Sequence, residues 1–270
     1  MMAAVQGTRP RFRRRTLVLL ACSLVLLAIV LLAPLLPTQA PNLTDLSKQL
    51  DPPSSLHPLG TDFYGRDMVS RLLHGGRATL AVAAAAVVFA VVLGGIAGLL
   101  AGSMQGWPGQ FWVGAFDLML AFPTLLLALL VVAVLGPGLP ALAVAVGVAS
   151  VPGYGRLVRA LTLSLQRSAF VDAARAVGVG PLRILTHHII RNIIRPVLAL
   201  ATIDLGRAII SVAALGYLGL GAAPPQAEWG LMLYEGRGYI ASAPWASFVP
   251  GLAITLTVLI VTFLGDALVE

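Results

Sequence analysis

The chain has 270 residues, 58% of them hydrophobic and only 11% charged, with a formal net charge of +7. A mean hydropathy of +0.91 excludes an ordinary soluble globular domain. Cys22 is the only cysteine and Lys48 the only lysine, so a disulfide framework, a cysteine metal cluster and a phosphate-cradling G-x-x-x-x-G-K-[ST] loop are all excluded.

The N-terminal segment 1–16 carries Arg9, Arg11, Arg13, Arg14 and Arg15 and reads as a cytoplasmic basic tail. Arginines flanking apolar runs orient a chain in a bilayer, which explains the positive charge better than nucleic acid does. Six runs are long enough to cross about 30 Å of hydrocarbon, which takes roughly 17–25 helical residues. They lie near Leu17–Leu36, Ala78–Gly102, Phe111–Leu135, Leu139–Gly155, Val197–Leu218 and Ala246–Leu264. The first is too long, and lacks the small-residue cleavage site, for a removable signal peptide. It is expected to stay as a membrane helix. The fourth runs into Pro152-Gly153, and a kinked continuation towards Leu165 stays open.

Between the first two spans, residues 37–77 are expected to form an extracytoplasmic loop. Thr38–Ser55 holds Pro41, Pro52 and Pro53, and Leu59–Arg77 reads as a turn followed by a short interfacial helix. Residues 78–270 would then form the core domain. Gly94, Gly98 and Gly102 recur every four residues on one face of the second span, a spacing for close helix packing within the chain or between subunits. Pro123 predicts a kink in the third span, either architectural or a hinge.

The loop after the fourth span is the most informative segment. Phe170–Asn192 is polar and lies between apolar runs; it reads as two short helices joined by a bend. Ser168 stands where it can cap the first helix, and Asp172 lies in its first turn, where the dipole favours an acid. Gly178 supplies a left-handed terminator, Pro181 restarts a helix, and Ala173 and Ala174 leave a smooth surface. A membrane protein offering such a block to water offers a docking site. Arg156, Arg159, Arg167, Arg175, Arg183, Arg191 and Arg195 face a single acid, Asp172, so six spans with both termini cytoplasmic satisfy the positive-inside rule.

Asp117, Asp204 and Arg207 fall within spans, where charges face a bundle interior, a partner or a water-filled path. Asp204 and Arg207 share a helix face and can pair. Asp117, Pro123, Asp204 and Arg207 are thus candidates for the path or for helix packing. His187 and His188 are adjacent and cannot chelate as an i, i+4 pair would; His57 and His74 are isolated and read as surface or interface residues. No metal site is expected. An intramembrane serine protease would pair Ser150 with a histidine, and none lies in a span.

D-A-A-R-A-V-G at Asp172–Gly178, then nine residues, then H-I-I-R-N at His188–Asn192 resembles the EAA loop of ABC importer permeases. HPLGTDFYGRD at His57–Asp67, AFPTLLLAL at Ala121–Leu129 and GYLGLGAAPPQAEWGLMLYEGR at Gly216–Arg237 narrow the resemblance. It is to the C-type permease of dipeptide, oligopeptide and nickel importers. The resemblance implies an all-α membrane protein with the type I ABC importer permease fold, multi-pass in a bacterial inner membrane. It implies no catalysis and no cofactor in this chain, with ATP and Mg in partner subunits. It implies a second permease in a heterodimer, two ABC ATPase subunits and an extracytoplasmic solute-binding protein. Asp172, Ala173, Ala174, Gly178, His188 and Asn192 fall on the ATPase-coupling positions, with Asp for the usual Glu. Arg191 stands where relatives carry proline, and Val212 where they often carry glutamate.

The outer blocks set aromatics among charges, a composition common at interfaces. Phe63, Tyr64, Arg66, Trp229, Tyr234 and Arg237 are therefore candidate contacts for the binding protein, the alternative being a folded cap over the bundle. An ion-gradient carrier or a channel subunit remains the rival reading, although carriers usually show inverted repeats and midplane ion ligands.

Overall fold

The computed structural model describes residues 38–104 and 106–269, together with Ala21, Ala28 and Leu32. The basic tail and nearly all of the expected first span lie outside the described residues. Within them the chain is helical, with no strand beyond a single bridge between Thr61 and Asp67. The helices are α1 Met68–Ser103, α2 Trp107–Leu120, α3 Thr124–Leu135, α4 Leu139–Gln166, α5 Ala169–Ala176, α6 Pro181–Tyr217, α7 Trp229–Gly236 and α8 Trp245–Val269.

Four helices, α1, α4, α6 and α8, are long and apolar enough to cross a membrane, and the bent pair α2 and α3 raises the number to five among the described residues. Three of these differ from the expected spans. First, α1 does not break at Arg77. Asp67 accepts the amide of Ser70 at 2.8 Å and so caps a helix that runs uninterrupted for 36 residues. The expected interfacial helix is simply its first turns. Second, Pro123 ends a helix instead of kinking one, and α2 and α3 meet at 96°. Proline has no amide to donate, and it pushes Phe122 before it out of the helical region. Third, the second loop helix does not stop: Pro181 opens a helix that becomes the next span, passing through a π-helical stretch at Ile184–Ile189. Arginine at 191, unlike proline, can donate its amide, and the helix also accommodates Pro196 without ending. The fourth span does continue through Pro152 to Gln166.

The described residues divide into two compact units. One draws on the described residues up to Val82, on Pro137–Leu139 and on those from Thr202 onward, the other on the described residues from Ala83 to Gly136 and from Pro140 to Ala201. In the second unit the glycine stripe packs against α4. A Cβ on Gly94 would lie 2.6 Å from Val151 O, one on Gly98 2.5 Å from Gly155 O, and one on Gly102 2.7 Å from Thr162 Cβ. The backbones approach so closely that only glycine fits, which makes the stripe an intramolecular contact. In the first unit Met68, Trp229 and Met232 form the core beneath α1, α7 and α8.

Candidate functional site

The polar loop is built as a stiff element. Ser168 occupies the N-cap position, but its hydroxyl donates back to Leu165 O; its carbonyl accepts the amides of Val171 and Asp172. The expected side-chain cap is thus replaced by a backbone one. At the other end Gly178, at φ +81°, donates to Arg175 O at 2.9 Å, and Val179 donates to Ala174 O at 3.0 Å. This pair of bonds is a Schellman closure, which requires the left-handed residue that glycine supplies without strain. Asp172 pairs with Arg175 at 3.1 Å on the solvent side.

Beneath it, Val171, Ala174, Ile184, Ile189, Ile193 and Val197 form one apolar cluster with Tyr154 and Val158 of α4. Ala174 is therefore buried inside the support, and only Ala173 of the expected smooth pair faces out. The outward face carries Phe170, Val177 and Leu182, the last two 79% and 73% exposed. Large apolar groups thus stand exposed on a loop otherwise rich in arginine. His188 is half-buried with its ring 6.3 Å from that of Phe170, and Asn192 donates to His188 O at 2.6 Å.

The outer blocks are a folded, charge-paired cap in the first unit. Arg66 reaches Asp62 at 2.6 Å and Glu235 at 2.7 Å, while Arg71 reaches the same two acids at 3.3 and 3.0 Å. The Arg71 guanidinium also donates to Pro225 O at 3.1 Å. Two of the expected binding-protein contacts are corrected by this arrangement. Arg66 and Trp229 are each 2% exposed; the first is sealed between carboxylates, and the second donates from its indole to Leu72 O at 2.8 Å. Phe63, Tyr64, Tyr234 and Arg237 do remain on the surface, with Phe63 stacked on Tyr239 at 4.9 Å and Arg237 over Tyr234 at 4.0 Å. His57 is likewise not a surface residue, being buried with Nδ1 3.0 Å from Asp67.

Glu228 escaped the sequence reading. It caps α7 by accepting the amides of Gly230 and Leu231 at 2.7 and 2.8 Å, and also takes the Thr79 hydroxyl at 3.0 Å. Burial pushes its carboxyl above the ordinary range, while these hydrogen bonds pull the other way. Glutamate is not a usual N-cap residue, so no local signal marked it. Gly216 leaves room for it, since a Cβ there would collide with Glu228 Oε2.

Within the spans, Asp117 of α2 pairs with Arg156 of α4 at 2.5 Å, and Asp204 with Arg207 at 3.0 Å. Arg207 is exposed and Asp204 largely covered. Pro123 stands at the break between α2 and α3.

Residues 90–270 match the family described as binding-protein-dependent transport system inner membrane component. The chain belongs to that family. Over 246 residues it is 44% identical to the dipeptide transport system permease protein DppC of Alkalihalophilus pseudofirmus, covering 91% of this chain and 80% of that protein. To the glutathione transport system permease protein GsiD of Pectobacterium atrosepticum it is 41% identical, covering 91% and 82%. To the di/tripeptide transport system permease protein DppC of Pseudomonas aeruginosa it is 41% identical over 256 residues, covering 91% and 84%. In fold this inner membrane component is similar to the inward-facing MetNI methionine ABC transporter, with a TM-score of 0.61 at 21% identity over 74% of this chain and 94% of that one. Its fold is that of an ABC importer permease. The carrier, channel and protease readings are set aside by family membership.

Proposed function

We propose that this inner membrane component is one of two permease subunits in an ATP-driven importer of peptides or related small solutes, coupled to its ATPases through Asp172–Gly178. The names of its relatives support the peptide class. The observation that carries the coupling role is the combination in α5: a helix closed at both ends, seated on the cores of α4 and α6, with Phe170 and Val177 turned outward. A short helix so held transmits displacement with little bending. Because α6 continues from the loop into a span, a push on the loop reaches the membrane through one continuous helix. ATP and Mg belong to the two ATPase partners, and this chain contributes no catalytic group. Conformational change follows from their closure, which favours the state in which the path opens outward.

The arginine excess around α5 supports a cytoplasmic position for the loop, with both termini on the same side. Phe63, Tyr64, Tyr234 and Arg237 form the exposed part of the outer cap, and their mixture of rings and charge suits a solute-binding protein. A heterodimeric partner completes the path, to which Asp117, Pro123, Asp204 and Arg207 contribute packing or lining.

Replacing Gly178 with valine tests this reading. A β-branched residue forced left-handed costs about 1–2 kcal/mol and opens the closure of α5. In proteoliposomes of the whole complex, G178V should leave ATP hydrolysis running while uptake falls at least about tenfold. Normal uptake with G178V counts against the coupling role.

A further inference from the structure

We propose that the second unit carries a pocket for the phosphate of an anionic phospholipid headgroup, on the membrane face that bears the polar loop. A cavity of about 420 Å³ opens between the start of α2 and the end of α4. Arg159, Arg167 and Arg175 line it together with Gln110 and Gln166, and no carboxylate does among the described residues. Arg175 is neutralised by Asp172 from outside the lining and also donates to Gln166 O, which leaves the charges of Arg159 and Arg167 for a guest. The Nε of Arg159 is buried and has no hydrogen-bond partner among the described residues, a costly state for a cationic donor unless something fills the space.

Gly102, Gly106 and Gly109 line the cavity as well, beside Ala101 and Met104, and Gly106, at φ +73°, stands before α2 without a side-chain cap. The cavity thus meets the N-terminal end of a 14-residue helix, whose dipole adds to the positive charge of the arginines, and both favour an anion.

What selects a lipid over a soluble anion is the neighbouring surface. Trp107 is 78% exposed and Phe111 is exposed beside it, their rings 6.2 Å apart, with Trp112 next at 5.8 Å from Phe111. Exposed tryptophans at the end of an apolar helix sit at headgroup level. The pocket is thereby placed where phosphates of the bilayer lie, and basic pockets between spans take such headgroups. The leaflet rests on the proposed orientation of the polar loop; the binding itself does not.

Trp107 and Trp112 report occupancy. The intact complex is placed in nanodiscs of phosphatidylcholine, and quenching is compared for brominated phosphatidylglycerol and brominated phosphatidylcholine, the background from Trp229 and Trp245 cancelling between variants. The expected result is a preference of about tenfold for phosphatidylglycerol, abolished in R159Q/R167Q and kept in R191Q. Arg167 is exposed, so R167Q alone keeps the fold and gives an intermediate loss. Equal quenching by both lipids in the unaltered protein overturns the proposal, and so does a preference that survives R159Q/R167Q. Loss of the preference on adding inorganic phosphate assigns the pocket to a soluble anion and overturns it as well. The readout needs no ATP, so a lipid preference without coupled transport refutes only the coupling role. Coupled transport without the preference refutes only the pocket.

Discussion

The cap and the polar loop treat charge in opposite ways. In the cap, Asp62, Arg66, Arg71 and Glu235 are drawn out of solvent and paired with one another. In the loop, Asp172 and Arg175 stay half or more exposed while aliphatic residues hold the element down. A region that closes its charges upon itself is finished as a fold. A region that anchors itself with aliphatic groups and leaves Phe170, Val177 and Leu182 outside is, on the proposed reading, completed by a partner. Burial of the polar groups, more than the aromatic content, separates a self-sealing cap from a docking surface.

The largest expected effect breaks the cap. R71M leaves Asp62 and Glu235 sharing a single arginine inside the protein, and one uncompensated buried charge costs about 3–5 kcal/mol. The loop counterpart, R175M, removes an exposed pair worth about 0–1 kcal/mol. Thermal unfolding of the two variants in the same detergent should differ by many degrees. Equal shifts would erase the contrast between the regions.

Next in size is the glycine stripe. G98V drives a branched side chain into Gly155 O and Val158, and overpacking of this kind costs about 1–3 kcal/mol. G95V, on the same helix where a Cβ meets nothing within 4 Å, should cost well under about 1 kcal/mol. Comparable losses in the pair would mean that α1 and α4 do not pack through the stripe.

How much of this is legible beforehand depends on range. The left-handed Gly178, the restart at Pro181 and the spacing of Gly94, Gly98 and Gly102 are local signals, and each marks the element it serves. The pairing of Asp117 with Arg156 spans 39 positions, and that of Arg66 with Glu235 spans 169, so neither leaves a periodic trace. Trp229 among charges reads as an interface residue because composition cannot distinguish a ring facing a partner from one packed under α1. The depth of the bend at Pro123 depends on the packing of α2 and α3, of which the residue itself says nothing.

Glu228 sharpens the picture of the cap by a smaller amount. Its raised carboxyl means that the folded state holds a proton more tightly than the unfolded chain does. The stability it contributes is full below the unfolded value near 4.5 and is lost as pH rises from there towards the raised value. Melting temperature should therefore decline across that interval, and E228Q should flatten the decline while retaining one acceptor for α7. An unchanged slope in E228Q would assign the effect to another group.

Contact between Val177 and an ATPase subunit is the most direct test of the central claim. In a Cys22→Ser background, V177C in the intact complex is treated with a short bifunctional thiol reagent in inside-out membrane vesicles. A covalent product joining this chain to an ATPase subunit is expected, at a yield that changes when ATP is added. A residue that forms no such product, and that reacts only with reagents supplied from the opposite face of the membrane, would contradict that claim.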